Sequence, residues 1–243
     1  MCDLKAHNKS GFAILADPDK TAPAEMHILA RYCNESKVDY LLMGGSLLMA
    51  HQMELCIQTF RSESDIPVIL FPGSPAQVTP MADAILYLSL LSGRNAELLI
   101  GQHVVSAPLV KASGLEVIAT GYILIDGGVQ TTVSYISNAM PIPADKPDIA
   151  LCTAWAGEMQ GKHVIYLDAG SGARNAICKN TIHKISSQLQ IPLLVGGGIK
   201  TPEKVLENCK AGANLIIVGN AIEKDKTLIN EMAMAVREAN NNM

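Results

Sequence analysis

Three glycine-rich turns crowd the last third of the sequence: Ala169-Gly170-Ser171-Gly172, Gly196-Gly197-Gly198 and Gly219-Asn220. Each follows a short apolar run, so each reads as a turn at the end of a buried strand. Glycine there lets backbone N–H groups close on an anion with no Cβ in the way. One such turn would mean no more than tight packing, but three in succession point to a phosphate. Asp168 stands directly before the first turn, placed to act as a general base toward a substrate hydroxyl or to hydrogen-bond the loop amides; its position favours the first. Tyr166 shares its side of the strand, and Tyr122 lies within the preceding strand. For either tyrosine the alternative is a core side chain satisfied by one hydrogen bond. Asp17, in Ala16-Asp17-Pro18-Asp19-Lys20, and Ser46, after Gly44-Gly45, end two earlier runs. A carboxylate and a hydroxyl are hard oxygen ligands suited to Mg²⁺, which takes its other ligands from water and substrate phosphates. Equally, Asp17 caps a turn and Ser46 caps a helix. The spacing alone leaves both readings open.

These residues need a frame that brings strand ends together. Short runs rich in Ile, Leu and Val predict strands near 12–17, 40–45, 68–72, 84–91, 116–125, 163–168, 192–196 and 214–219. Helix-length segments separate most of them. Pro23 suits the first turn of a helix over 23–36, a second helix spans 47–63, and Thr201-Pro202 opens one over 202–210. Asp225 is placed to cap the final helix, which runs into Asn240-Asn241-Asn242. Eight strands alternating with helices in 243 residues fit a single (β/α)₈ TIM barrel over 1–243, whose chemistry sits at the C-terminal strand ends. Two stretches break the alternation. Residues 73–82 hold too much Pro and Gly for an ordinary third helix, and 126–147 form a long loop before the helix carrying Trp155. Trp155 is read as core or as an anchor at a subunit contact.

Composition narrows the function classes. A net charge of −4 without a basic run argues against nucleic acid. No run reaches the roughly 18–20 apolar residues that span a bilayer, and the N-terminus has no signal-peptide core, so a cytoplasmic location is expected. The six cysteines form no CxxC pair and read as buried or semi-buried thiols. No histidine pair has zinc-site spacing.

Longer strings carry a resemblance. DPDK at 17–20, MGGS at 43–46, SLLSGRN at 89–95, IGQH at 100–103, GYILIDGG at 121–128, PIPADKP at 141–147, YLDAGSGA at 166–173, VGGGIKTPE at 195–203 and VGNAIEK at 218–224 occur in order at barrel spacing. Together they resemble the geranylgeranylglyceryl phosphate synthase family, in the second of its two broad groups. The resemblance implies an Mg²⁺-dependent prenyltransferase joining a polyprenyl diphosphate to sn-glycerol 1-phosphate and releasing diphosphate. It puts Asp17 and Ser46 at the metal positions. It puts Tyr166, Leu167, Asp168, Ala169, Gly170, Ser171, Gly172, Gly197, Gly198, Gly219 and Asn220 at the glycerol phosphate site. Asp168 is then the base, and the Tyr122 ring steadies the developing allylic cation. The family has glutamate where this sequence has Asp168, one methylene shorter. A homo-oligomer and a transient membrane contact are further expectations, and residues 73–82 are the natural place for a greasy groove. The glycine turns alone would also serve a phosphosugar isomerase or cyclase, or a barrel that binds phosphate without turnover.

Overall fold

Side-chain alternation explains why the apolar runs form a barrel. The computed structural model describes residues 1–242. Its strands are β1 (Gly11–Ala16), β2 (Tyr40–Met43), β3 (Val68–Leu70), β4 (Ala84–Leu90), β5 (Glu116–Leu124), β6 (Val164–Asp168), β7 (Leu193–Gly196) and β8 (Leu215–Val218). They pair in parallel in chain order, and β8 closes on β1. Ala13, Leu42, Ile69, Leu86, Tyr122, Tyr166, Leu194 and Ile217 point inward and fill the barrel. Their neighbours Ile14, Leu41, Leu70, Ile123, Leu167, Val195 and Ile216 point outward into a second core beneath the helices. Both faces are buried, so the strands read as continuous apolar runs. Each such Leu, Ile or Val contributes about 1.5–3 kcal/mol of burial.

The helices are α1 (Cys2–Ala6), α2 (Pro23–Ser36), α3 (Met53–Arg61), α4 (Gln102–Ser113), α5 (Thr132–Ile136), α6 (Pro147–Met159), α7 (Lys179–Ser186), α8 (Pro202–Lys210), α9 (Asn220–Lys224) and α10 (Leu228–Asn241). Pro23 occupies the first turn of α2, and the Thr201 hydroxyl accepts from Lys204 N at the start of α8. Between β3 and β4 the only helical piece is a 3₁₀ turn, Pro75–Gln77. The Gln77 side chain holds this connection: Oε1 accepts from Gly73 N at 3.0 Å, and Nε2 donates to Gly45 O at 2.9 Å. No described helix is long and apolar enough to cross a membrane.

Four local expectations are corrected. The helix predicted from 47 begins only at Met53, because the Asp19 carboxylate takes the N–H groups of Met49 and Ala50 and holds 46–50 as a loop. Ser46 therefore caps no helix. Asp225 does not cap α10; it accepts from Thr227 N (2.9 Å) and Oγ1 (2.6 Å), and Thr227 takes the cap position. Asn240 lies inside α10, where its amide clamps the Ser10 backbone and fixes the helix to the entry of β1. Of the cysteines, Cys33, Cys56 and Cys209 are buried, but Cys2, Cys152 and Cys178 are exposed. Trp155 is half-buried against the outer core.

Candidate active site at the barrel mouth

Two residues beyond the inward-facing core positions, Leu15, Gly44, Phe71, Asp168 and Gly219 reach the C-terminal rim and line the more polar of two cavities there, of about 490 Å³. The cavity gathers Asp17 after β1, Ser46 after β2, Tyr122 and Tyr166 from inside the barrel, and Asp168 at the end of β6. Ser171, Gly172, Gly197, Gly198, Gly219 and Asn220 close it from the last three turns. Three expected residues stand apart. Leu167 and Ala169 pack in the outer core, and Gly170 donates its N–H to Asp168 Oδ1 at 2.7 Å. Gly197 has φ of +79°, and a Cβ there would meet Asp168 Oδ1 at 2.5 Å and Ala169 N at 2.6 Å. Only glycine lets β7 turn so close to the first loop.

Asp168 is 6% exposed and has a partner on each oxygen: Gly170 N on Oδ1 and the Tyr122 hydroxyl on Oδ2, at 2.6 Å. The register explains the second bond. Tyr122 pairs with Tyr166, so Asp168 lies two residues further along on the same face. Burial pushes the Asp168 carboxyl above the usual carboxylate range; the Tyr122 and Gly170 hydrogen bonds oppose the shift without cancelling it. Burial, then the neighbouring Asp168 charge, pushes the Tyr122 phenol well up, so it stays a donor. A carboxylate has about four lone-pair sites, so Asp168 keeps room to accept from one more hydroxyl. Phe71, Tyr122 and Tyr166 form an aromatic trio with centroids 5.4–5.7 Å apart.

Asp17 packs on the turn after β2: a Cβ on Gly45 would lie 3.3 Å from its Oδ1. Its Oδ2 pairs with Lys20 Nζ at 3.0 Å, and Lys20 also faces Glu223 Oε1 at 3.7 Å. Burial draws Lys20 down, but Asp17 and Glu223 outweigh it and hold the ammonium above its ordinary value. Among the described residues, no three His, Cys, Asp or Glu side chains cluster as a metal cage. An Asp17 carboxylate and a Ser46 hydroxyl beside an open cavity fit a hard cation that keeps waters and takes substrate phosphate oxygens, not a cation needing an all-protein shell.

A second, mostly apolar cavity adjoins the first. It occupies the space where a third barrel helix would lie, between residues 72–78 and α4, with Ile85, Leu88 and Leu98 among its walls. Gly45, Ser46, Phe71, Tyr122 and Val133 line both cavities, so they form the junction. Sequence reasoning missed the cations of the polar cavity, Lys20, Arg174, Lys200 and Lys224. The signal was present: Arg174 and Lys200 each follow a glycine turn by two residues. It also missed the Tyr122–Asp168 bond, which depends on inter-strand register.

The chain is 60% identical to the geranylgeranylglyceryl phosphate synthase of Chitinophaga pinensis, over 98% of this chain and 94% of that protein. It is 50% identical to the synthase of the same name from Spirosoma linguale, over 98% and 96%. Among solved structures it is similar to (S)-3-O-geranylgeranylglyceryl phosphate synthase from Thermoplasma acidophilum in complex with its substrate sn-glycerol-1-phosphate, with a TM-score of 0.91, 30% identity and 97% of each chain covered. The sequence pattern of the PcrB family matches residues 5–240, and the chain belongs to that family.

Proposed function

We infer that this chain is a prenyltransferase that joins a polyprenyl diphosphate, of geranylgeranyl type, to sn-glycerol 1-phosphate. The observation that carries the reading is the pair of adjoining cavities, one more polar and one apolar, that meet at Tyr122, whose hydroxyl holds Asp168. The glycine turns after β6, β7 and β8 hold the acceptor's phosphate and so fix its free hydroxyl. The prenyl tail lies in the apolar cavity, and its diphosphate sits at the junction near Ser46 and Asp17. Asp17 and Ser46 would hold Mg²⁺, which supplies charge neutralisation that makes diphosphate a better leaving group. As the allylic C–O bond lengthens, the faces of Tyr122 and its aromatic neighbours lie where positive charge builds. The acceptor hydroxyl attacks that carbon, its proton passes to Asp168, and diphosphate leaves. Tyr122 thus has a second task beyond facing the cation: its hydroxyl aims the base. The shorter Asp168 is compatible with that task because Tyr122 and Gly170 fix both of its oxygens.

Self-association in the cytoplasm belongs to the same reading. Ile100, Val104, Val105 and Leu109 leave more than half of their area exposed along the outer side of α4 and the turn before it, and an apolar strip of this kind suits a second copy. A turnover assay with labelled sn-glycerol 1-phosphate, Mg²⁺ and prenyl diphosphates of several lengths tests the function. Ether product that disappears with EDTA is expected; no product at any length would reject the reading.

A further inference from the structure

The two motifs DPDK and VGNAIEK each end in or contain a charged residue with no part in the chemistry above, and the fold brings those two residues together. Lys20 and Glu223 lie about 200 positions apart in sequence, yet their charges meet across the rim of the polar cavity at 3.7 Å. Neither pairs only with the other. Lys20 Nζ also holds Asp17 Oδ2 at 3.0 Å. Glu223 Oε2 accepts from Asn220 Nδ2 at 3.1 Å. With its amide nitrogen so engaged, Asn220 presents Oδ1 to the first glycine turn, where it accepts from Ser171 Oγ and Gly172 N, both at 3.0 Å. The result is one continuous polar path from the carboxylate beside β1 to the turn after β6, made of six residues from the loops after β1 and β6 and from α9. The side chains of Asp17 and Glu223 are mostly buried, at 16% and 17% exposure, while Lys20 keeps 46%, so these pairings set orientation more than they add stability.

We propose that Lys20 and Glu223 are positioning residues that tie the donor side of the site, at Asp17, to the acceptor phosphate turn, through the orientation they impose on the Asn220 amide. An amide that lost Glu223 would be free to rotate and offer its NH₂ to the turn, turning a donor toward Gly172 N–H and Ser171 and loosening the cradle. The proposal rests on the acceptor reading of the polar cavity given above. It predicts a sign that charge alone does not. Glu223 is an anion beside a phosphate site, so removing it should tighten phosphate binding by Coulomb's law; removing a positioning group should weaken it.

The test is calorimetric titration of sn-glycerol 1-phosphate into the full chain, without metal or donor, for the unaltered protein, Glu223→Ala, Lys20→Met, Lys20→Arg and the Glu223→Ala/Lys20→Met double variant. Glu223→Ala should weaken binding about threefold to tenfold, the worth of one ordinary hydrogen bond in the loosened cradle. Lys20→Met should weaken it less, Lys20→Arg should restore it, and the double variant should bind no more weakly than Glu223→Ala, because both act along one path. Thermal melting of each variant, recorded alongside, should stay near that of the unaltered protein. Binding that Glu223→Ala leaves unchanged or tightens, or two effects that simply add, would overturn the proposal while leaving the acceptor site standing. An unaltered protein that binds no glycerol phosphate would overturn the acceptor reading itself, and the proposal with it.

Discussion

The two cavities at the rim are built by opposite means. The polar one is assembled from strand ends and glycine turns of β1, β2, β6, β7 and β8, where regular geometry aims backbone N–H groups and inward side chains at one point. The apolar one exists because a regular element is missing: a Pro- and Gly-rich connection with a single 3₁₀ turn replaces the helix between β3 and β4. Rigid, repeated elements place groups that must be held to a fraction of an ångström. An omitted element makes room for a substrate recognised by volume and apolarity alone. The lesson is that one barrel can divide precision and capacity between different sectors of its wall.

Four substitutions, one of them read through a pH series, sharpen that division, beginning with the largest effects. Asp168→Asn removes the base from the precise side and should lower kcat by about 10²–10⁴-fold while leaving sn-glycerol 1-phosphate affinity within a few fold; single-turnover rates and titration separate the two, and a kcat near that of the unaltered protein would remove Asp168 from the chemistry. Asp17→Asn should abolish the part of turnover that EDTA abolishes, with an unchanged melting curve, and persistence of metal-dependent turnover would clear Asp17 of a metal role. On the roomy side, Val78→Phe narrows the apolar cavity and should cut kcat/KM for long prenyl diphosphates about tenfold, and for short ones less. Acceptor affinity should not move; if it does, the two cavities are not separable as described.

The pH dependence gives the smallest and most diagnostic effect. Burial raises the Asp168 carboxyl, and only its carboxylate accepts a proton, so kcat/KM should rise with pH through a midpoint above the ordinary carboxylate range. The linked stability runs the other way. A raised carboxyl binds its proton more tightly in the folded state, so its contribution is fully present below the unfolded carboxylate value and is lost as pH rises through the raised one. Tyr122→Phe deletes a hydrogen bond that favours the charged form and should move the activity midpoint further up. A midpoint that stays in place would detach Tyr122 from the base.

Much of this was legible from the sequence, for identifiable reasons. The eight strands announce themselves because both faces are buried, and the three glycine turns because few other residues fit there. The late start of α3 was not legible because a non-local contact, Asp19 on the backbone of Met49 and Ala50, overrides the helical pattern of 47–52. Leu167 and Ala169 were grouped with the phosphate turn by their place in a motif, although strand alternation turns Leu167 outward. The Tyr122–Asp168 and Lys20–Glu223 contacts depend on register and loop closure across the barrel, which no local pattern carries.

The central claim is that the polar cavity takes the acceptor and the apolar cavity takes the prenyl tail. Its most direct test is a crystal structure of the protein with sn-glycerol 1-phosphate and an unreactive thio analogue of a prenyl diphosphate. The account predicts phosphate density against the turns at Gly172, Gly198 and Gly219, and tail density between residues 72–78 and α4. Tail density anywhere else, or an acceptor phosphate bound at the junction instead of at the turns, would contradict it.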